Sequence, residues 1–156
     1  LIEIAEKYGE TAKLISDSRL INDSMPDHVL SILSKFNDGI STVSVLGIAY
    51  KGNVDDVRET PSKKLIELLI KNEYKVVAHD PIVKKEVIET FNVDSVSYED
   101  SLKSDCIIIM TDHDMYKELK PEQVKDKLVI STKPILDSDK FREAGINFQA
   151  IGDIVL

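Results

Sequence analysis

Apolar runs and helix-like patterns alternate along the chain from residue 40 onward. Short runs rich in Val, Ile and Leu predict strands at 43–49, 75–79, 105–110, 128–131 and 148–151. Between them, helical spacing of apolar residues predicts helices at 61–72, 84–91, 121–127 and 140–144. Strands separated by helices are typical of βαβ units, so we predict an α/β fold, a Rossmann-like parallel sheet flanked by helices.

The first 38 residues contain helical patterns only. A short helix is predicted at 1–8 and a longer one at 11–36, with a kink or break expected near Pro26. We therefore divide the chain into an N-terminal helical arm, residues 1–38, and a sheet domain, residues 39–156. Because an isolated amphipathic helix needs a partner for its apolar face, we expect the arm to form a homodimer or to pack against a domain absent from this sequence.

Composition narrows the class of protein. The chain has 156 residues, 42% hydrophobic and 31% charged, as in a folded globular protein. Its net charge of −8 argues against a nucleic-acid partner, because binding a phosphate backbone requires clustered Lys and Arg. No apolar run approaches the ~20 residues of a membrane span. The single cysteine, Cys106, is typical of a reducing compartment, so we expect a cytoplasmic protein without a membrane partner. The first residue is Leu1 and not Met, which leads us to expect a longer protein.

A polar loop at 50–59 is the strongest candidate for a functional site. It follows a predicted buried strand, and Thr60-Pro61 after it begins a helix with a good N-cap. Lys51 and Arg58 stand at the two ends of the loop, near the free N–H groups of that helix, which suits a phosphate or diphosphate. The alternative is a solvated loop whose charged side chains pair with each other. No G-x-G-x-x-G motif occurs in this stretch, so NAD binding in the usual Rossmann manner is not expected here.

Four further residues carry reactive or ligating groups. Cys106 lies in an apolar strand, where we predict a buried and unreactive thiol. His79 ends a predicted strand and His113 follows another, and each either touches a ligand or, as we favour, hydrogen-bonds to backbone in a turn. Asp80 follows a second strand, the place of a ribose-binding acid in Rossmann folds, but it precedes a proline and we favour a turn role.

Several stretches, matched in order, resemble the UDP-binding domain of the UDP-glucose/GDP-mannose dehydrogenase family. They are I-N-D-S-M-P at 21–26, V-L-G-I-A-Y-K-G-N-V-D-D-V-R-E-T-P at 45–61, V-V-A-H-D-P at 76–81, S-D-C-I-I-I-M-T-D-H at 104–113 and A-I-G-D at 150–153. The similarity spans essentially the whole chain and is far more specific than any single motif.

The resemblance implies an NAD-dependent oxidation of a nucleotide-sugar alcohol to a uronate. In the family an N-terminal Rossmann domain holds NAD and a cysteine acts as nucleophile, and neither segment is in this sequence. The chain would be the UDP-sugar-binding C-terminal domain, inactive alone, with residues 1–38 as the end of the central dimerisation region. By motif, Tyr50 and Lys51 would contact the UDP-sugar, and Arg58 would reach toward the NAD held by the other domain.

One element departs from the family pattern. Where the family has Asp-x-Arg after the last core strand, this chain has Asp137-Ser138-Asp139 followed by Lys140. An acidic side chain cannot donate a hydrogen bond to a diphosphate, so either Lys140 replaces the Arg or the contact is missing. Alternatives stay open for the substrate, UDP-glucose or GDP-mannose, and for the class of protein, a non-catalytic Rossmann-like interaction module.

Overall fold

The computed structural model describes residues 13–36 and 39–152, so the helix expected at 1–8 lies outside the described residues. Within them the helices are α1 (Lys13–Ser34), α2 (Pro61–Lys71), α3 (Lys85–Glu89), α4 (Tyr98–Ser101), α5 (Asp114–Lys117) and α6 (Ser138–Glu143). The strands are β1 (Thr42–Leu46), β2 (Lys75–His79), β3 (Asp94–Ser95), β4 (Cys106–Ile109), β5 (Leu128–Ser131) and β6 (Asn147–Ala150).

The strands form one parallel sheet in the order β3-β2-β1-β4-β5-β6. In its register Val45 of β1 lies opposite Ala78 of β2 on one side and Ile108 of β4 on the other. Helices cover both faces, so the predicted Rossmann-like sheet is confirmed. The sequence did not reveal β3 because a two-residue edge strand has no apolar run.

Two hydrophobic clusters, one on each face of the sheet, form the core. The first is covered by α1, α2 and α3, and the second by α5 and α6. β4 contributes to both, with Cys106 and Ile108 in the first cluster and Ile107 and Ile109 in the second. All four are 0% exposed, as expected for a central strand of a parallel sheet.

The break expected near Pro26 does not occur, because α1 continues through this residue from Lys13 to Ser34, whereas the kink stays a prediction. Packing against α2 holds this turn of the helix. Lys64 of α2 donates from Nζ to the backbone oxygen of Asp23 and to Oδ2 of Asp27, each at 2.7 Å. Pro26 itself is buried. Proline lacks the N–H that would bond to the carbonyl of Asn22, four residues earlier, and the Lys64 contacts lie on neighbouring residues of this turn.

The last two predicted helices also differ from the sequence prediction. The segment predicted as a helix at 121–127 is a 3₁₀ turn, Pro121–Val124. α6 begins at residue 138 and not 140, because the Asp137 side chain accepts a hydrogen bond from the Lys140 N–H at 3.2 Å and caps the helix. Within residues 13–36 and 39–152, none of the helices has the length and apolar character that a membrane span requires.

Candidate functional site

The candidate site lies where the strand order reverses, at the carboxyl ends of β1 and β4. In open α/β sheets, ligands bind in the crevice at this point because the connections of the two strands run to opposite faces. Two loops follow these strand ends, and a ligand in such a crevice would lie against them: the β1–α2 loop (residues 47–60) and the β4–α5 loop (residues 110–113). The polar stretch predicted to be functional forms most of the first loop.

β1 ends at Leu46, three residues earlier than the apolar pattern suggested. Gly47 has φ +92° and turns the chain out of the sheet. The next two amides, of Ile48 and Ala49, donate to Oδ2 of Asp80 at 2.7 and 3.0 Å and are therefore not available to a neighbouring strand. The strand therefore stops before the apolar run ends. The Asp80 carboxylate accepts hydrogen bonds from the backbone N–H groups of Ile48 and Ala49, which would otherwise pair with a neighbouring strand.

Asp80 is a buried carboxylate with a full set of donors. Its Oδ1 accepts from the N–H groups of Ile82 and Val83, both at 2.9 Å, which is the turn role that the sequence favoured. Its Oδ2 also lies 3.0 Å from Nε2 of His113. Burial opposes ionisation, but the His113 contact and the surrounding N–H groups outweigh it and hold the pKa of Asp80 well below its usual range.

His113 joins this carboxylate to the far part of the β1–α2 loop. Its side chain is 0% exposed, and its Nδ1 accepts a hydrogen bond from the Asn53 N–H at 3.0 Å. A ring nitrogen that accepts carries no proton, so the proton of the neutral ring is on Nε2, which donates to Asp80. The turn role predicted for His113 is thus present, in a buried form.

The two loops lie in direct backbone contact. A Cβ at Gly47 would lie 2.8 Å from the backbone nitrogen of Thr111, and one at Gly52 would lie 2.5 Å from the carbonyl oxygen of Asp112. The Gly52 N–H donates to Oδ1 of Asp112 at 3.0 Å. Glycine at these two positions therefore permits an approach that any side chain would prevent.

Tyr50 and Lys51, the predicted substrate contacts, both point into solvent from the start of the β1–α2 loop. The Tyr50 side chain is 60% exposed, and its backbone N–H donates to the Asp56 carbonyl at 2.7 Å. Lys51 is exposed and forms no ion pair with the part of the chain that the structure describes. Its ammonium is therefore available to an anionic ligand.

Arg58, the predicted cofactor contact, is paired with Asp56 within the same loop. Its Nε and Nη2 donate to the two carboxylate oxygens of Asp56 at 2.9 and 2.7 Å, and its side chain is 86% exposed. The Arg58 hydrogen bonds lower the pKa of Asp56 to about 2. Arg58 and Asp56 therefore pair with each other, as the alternative of a solvated loop predicted. Lys51 forms no such pair with the described residues.

The N-terminus of α2 closes the β1–α2 loop as the sequence predicted. Thr60 is the N-cap and accepts from the Ser62 N–H at 3.3 Å, and Pro61 occupies the first turn. The buried Ser62 hydroxyl donates to the Gly47 carbonyl at 2.8 Å, which ties the end of the loop to its beginning.

Two other candidates have structural roles. Cys106 is 0% exposed, and burial raises the pKa of its thiol, as expected for an unreactive cysteine. His79 is half-buried as the last residue of β2, with Nδ1 3.0 Å from the Tyr116 hydroxyl, which donates to the His79 carbonyl at 2.9 Å. The turn role favoured for His79 is therefore wrong, because its ring contacts a side chain and not backbone. Burial lowers the pKa of His79.

In the segment that departs from the family pattern, the two acidic side chains contact groups of their own helix, α6. Asp137 caps α6, and Asp139 lies 3.7 Å from the guanidinium of Arg142. Lys140 is exposed on the same helix. Whether Lys140 replaces the family's Arg stays a prediction.

Sequence reasoning missed the link between Asp80 and His113. The two residues are 33 positions apart, but β2 and β4 both pair with β1, so their carboxyl ends lie on either side of its end. A strand order derived from the βαβ pattern would have placed these two polar residues together at the candidate site.

The strand order and the loops at the switch point define a Rossmann-like domain. The UDP-glucose/GDP-mannose dehydrogenase family, UDP binding domain, matches residues 44–143, which include both loops at the switch point. The chain therefore belongs to the UDP-glucose/GDP-mannose dehydrogenase family.

Curated relatives give the same family. The UDP-N-acetyl-D-mannosamine dehydrogenase of Methanococcus vannielii is 38% identical over 96% of this chain and 36% of its own length. The UDP-N-acetyl-D-mannosamine dehydrogenase of Methanocaldococcus jannaschii is 34% identical, again over 96% of this chain and 36% of its own length. The UDP-glucose 6-dehydrogenase of Rickettsia conorii is 27% identical over 97% of this chain and 38% of its own length. The chain thus spans little more than a third of these relatives.

Solved structures confirm the fold. The UDP-D-ManNAc dehydrogenase of Pyrococcus horikoshii matches with a TM-score of 0.75 and 30% identity, over 95% of this chain and 35% of that one. The UDP-glucose dehydrogenase of Pyrobaculum islandicum matches with a TM-score of 0.79 and 27% identity, over 95% and 34%.

Proposed function

We propose that this chain is the UDP-sugar-binding C-terminal part of an NAD-dependent dehydrogenase that oxidises UDP-N-acetyl-D-mannosamine to UDP-N-acetyl-D-mannosaminuronate. The match of residues 44–143 to the family's UDP binding domain carries the proposal. Five relatives 34–38% identical to the chain bear the name UDP-N-acetyl-D-mannosamine dehydrogenase, which supports the choice of sugar.

Lys51 and Tyr50 are the proposed contacts to the UDP-sugar. A diphosphate carries negative charge, and the Lys51 ammonium is exposed at the crevice without an ion pair among the described residues. A charge-assisted hydrogen bond from this ammonium would hold the nucleotide end of the substrate. Tyr50 precedes it with an exposed ring and hydroxyl that suit the polar and flat surfaces of a nucleotide sugar.

Arg58 is the proposed contact to NAD. NAD, when bound, supplies the hydride acceptor for the oxidation. Asp56 accepts from Nε and Nη2 of Arg58, which leaves the Nη1 donors for a second anionic group. The described residues thus fit an edge contact to NAD, while the main cofactor site and the catalytic cysteine would belong to a domain outside this sequence. The chain alone would bind nucleotide but would not oxidise it.

Calorimetric titration of the chain with UDP tests the proposed nucleotide site. Lys51→Ala should weaken binding by roughly tenfold, because it removes one charge-assisted hydrogen bond to a phosphate. Lys75→Ala is the matched control, since Lys75 is an exposed lysine at the amino end of β2 and thus at the opposite edge of the sheet. Equal UDP affinity of the wild type and the Lys51 variant would contradict the assigned role.

UDP-glucose is the second candidate substrate. The Rickettsia conorii and Pyrobaculum islandicum relatives are a UDP-glucose 6-dehydrogenase and a UDP-glucose dehydrogenase. GDP-mannose is a weaker alternative, and a non-catalytic interaction module would bind none of these compounds. Activity of the full-length enzyme with each nucleotide sugar separates the candidates: higher kcat/KM for UDP-N-acetyl-D-mannosamine supports our choice, and higher kcat/KM for UDP-glucose contradicts it.

A further inference from the structure

The segment that carries Tyr50 and Lys51 is held at both ends by one buried pair of side chains. At its start, the N–H groups of Ile48 and Ala49 donate to Asp80 Oδ2, and at its end the Asn53 N–H donates to His113 Nδ1. The two side chains meet at 3.0 Å and are both 0% exposed. They come from the ends of β2 and β4, which flank β1.

Neighbouring contacts fix the same backbone from outside. Asn53 has φ 61° and donates from Nδ2 to Asp114 Oδ2 at 2.8 Å, while the Asp114 N–H donates to Asn53 Oδ1 at 3.2 Å. These bonds lie at exposed positions, where water competes for the same groups. The Asp80–His113 pair is buried, and so is the bond that the Thr111 hydroxyl donates to the Ala49 carbonyl at 2.7 Å. The pair differs from this bond because it holds both ends of the segment.

We propose that Asp80 and His113 are positioning residues for nucleotide binding, which fix both ends of residues 48–53 so that Tyr50 and Lys51 face the crevice in the bound geometry. This inference rests on the proposed function. The pair touches no ligand itself, and its effect passes through the backbone of the loop. Because the loop is held before the nucleotide arrives, ordering it adds little to the entropy cost of binding.

Two variants of His113 separate its contact with the Asn53 N–H from its contact with Asp80. His113→Phe keeps a ring of similar size but leaves the Asn53 N–H without a partner and removes one donor from Asp80. His113→Asn places an amide oxygen near the Nδ1 position and can still accept from Asn53. Phe148→Leu is the control, because Phe148 is 1% exposed on β6 in the core, away from both loops.

The measurements are hydrogen exchange of the 48–53 amides, UDP affinity by calorimetry and melting temperature. We expect His113→Phe to expose these amides to exchange and to weaken UDP binding by roughly tenfold. His113→Asn should recover part of both, and Phe148→Leu should lower the melting temperature with unchanged UDP affinity. If His113→Phe does not fold, a comparison of His113→Asn with the wild type carries the test, with a smaller effect expected in the same direction.

The possible failures are distinguishable. UDP binding by the wild type together with unchanged affinity and exchange in the His113 variants overturns this inference alone. Absence of UDP binding by the wild type contradicts both the proposed function and this inference. In a double-mutant cycle, His113→Phe should weaken binding less in the Lys51→Ala background, since both act through one segment. Strict additivity would contradict action through the loop.

Discussion

Gly47 shows how much of the site depends on one residue without a side chain. Its φ of +92° ends β1, and its lack of a Cβ allows Thr111 of the neighbouring loop to approach. Its N–H donates to the His79 carbonyl at 2.9 Å, and its carbonyl accepts from the Ser62 hydroxyl at 2.8 Å. One position therefore links the ends of β1 and β2 to the start of α2.

Gly47→Ala should destabilise the fold by at least about 3 kcal/mol, because it combines a left-handed backbone with a steric clash. Gly145→Ala separates the two effects, since Gly145 also has a positive φ, +81°, but has open space around its Cα. We expect that variant to lose only about 1–2 kcal/mol. Urea denaturation of both measures the difference, and equal losses would contradict the packing contribution at Gly47.

For single residues, the sequence predicted which side chains are exposed or buried better than which hydrogen-bond or ion-pair partners they have. The exposure of Lys51 in a polar loop and the burial of Cys106 in an apolar run could be predicted from their neighbours. The pairing of Arg58 with Asp56 was one of two alternatives, because adjacent charges in a loop do not determine which of them pair. The link from Asp80 to His113 depends on strand order, which no local pattern contains.

Among the elements, the central strands β1 and β4 are tied together at their amino ends by Asp105. Its Oδ2 accepts from the N–H and hydroxyl of Ser41 and from those of Thr42, at 2.8 to 3.1 Å. These bonds, from Ser41 first and then Thr42, lower the pKa of Asp105 to about 2. The register of the sheet's centre is therefore supported by one ionised carboxylate.

Asp105 should make the free energy of unfolding of the domain decrease at acid pH. Its pKa is lower in the folded than in the unfolded state, so its contribution is complete above the ordinary Asp pKa and is lost as pH falls through about 2. Asp105→Asn should lower stability at pH 7 and give a shallower fall between about pH 5 and pH 2. Denaturant melts at several pH values test this. Asp94→Asn, an exposed carboxylate on β3, is the control, and an Asp105 variant with the wild-type slope would contradict the assignment.

The order and type of the main elements followed from the sequence, since alternating apolar strands and amphipathic helices dictate a parallel sheet. The exceptions have physical causes. β3 is too short to show a pattern, and the turn at Pro121 lacks the length of a helix. α1 passes through Pro26, and Lys64 of α2 contacts Asp23 and Asp27 in that turn, a tertiary contact that the local sequence does not show.

For the whole molecule, α1 has two different halves. Val29 and Leu33 are 0% exposed and belong to the core, whereas Leu20 and Ile21 are 64% and 62% exposed. The second half of the proposed arm is thus part of the sheet domain's core. We propose that this helix forms a homodimer, as expected from the sequence, and the exposed apolar residues of its first half support this proposal.

Sedimentation of the chain tests the homodimer. We expect a dimer whose association is lost when Leu20 and Ile21 are both replaced by Glu, because charge cannot be buried in an apolar interface. Ile82→Glu is the control, since Ile82 is 46% exposed in the turn after β2 and away from α1. A wild-type monomer, or a dimer that persists in the double variant, would contradict association through this face.

The most direct test of nucleotide binding at this edge of the sheet is an NMR titration of the whole chain with UDP. We expect the largest amide shift changes on the β1–α2 loop (residues 47–60) and the β4–α5 loop (residues 110–113), at the carboxyl ends of β1 and β4. They should be strongly reduced in Lys51→Ala. Shift changes confined to the amino-terminal edge of the sheet, or none at saturating UDP, would contradict the account.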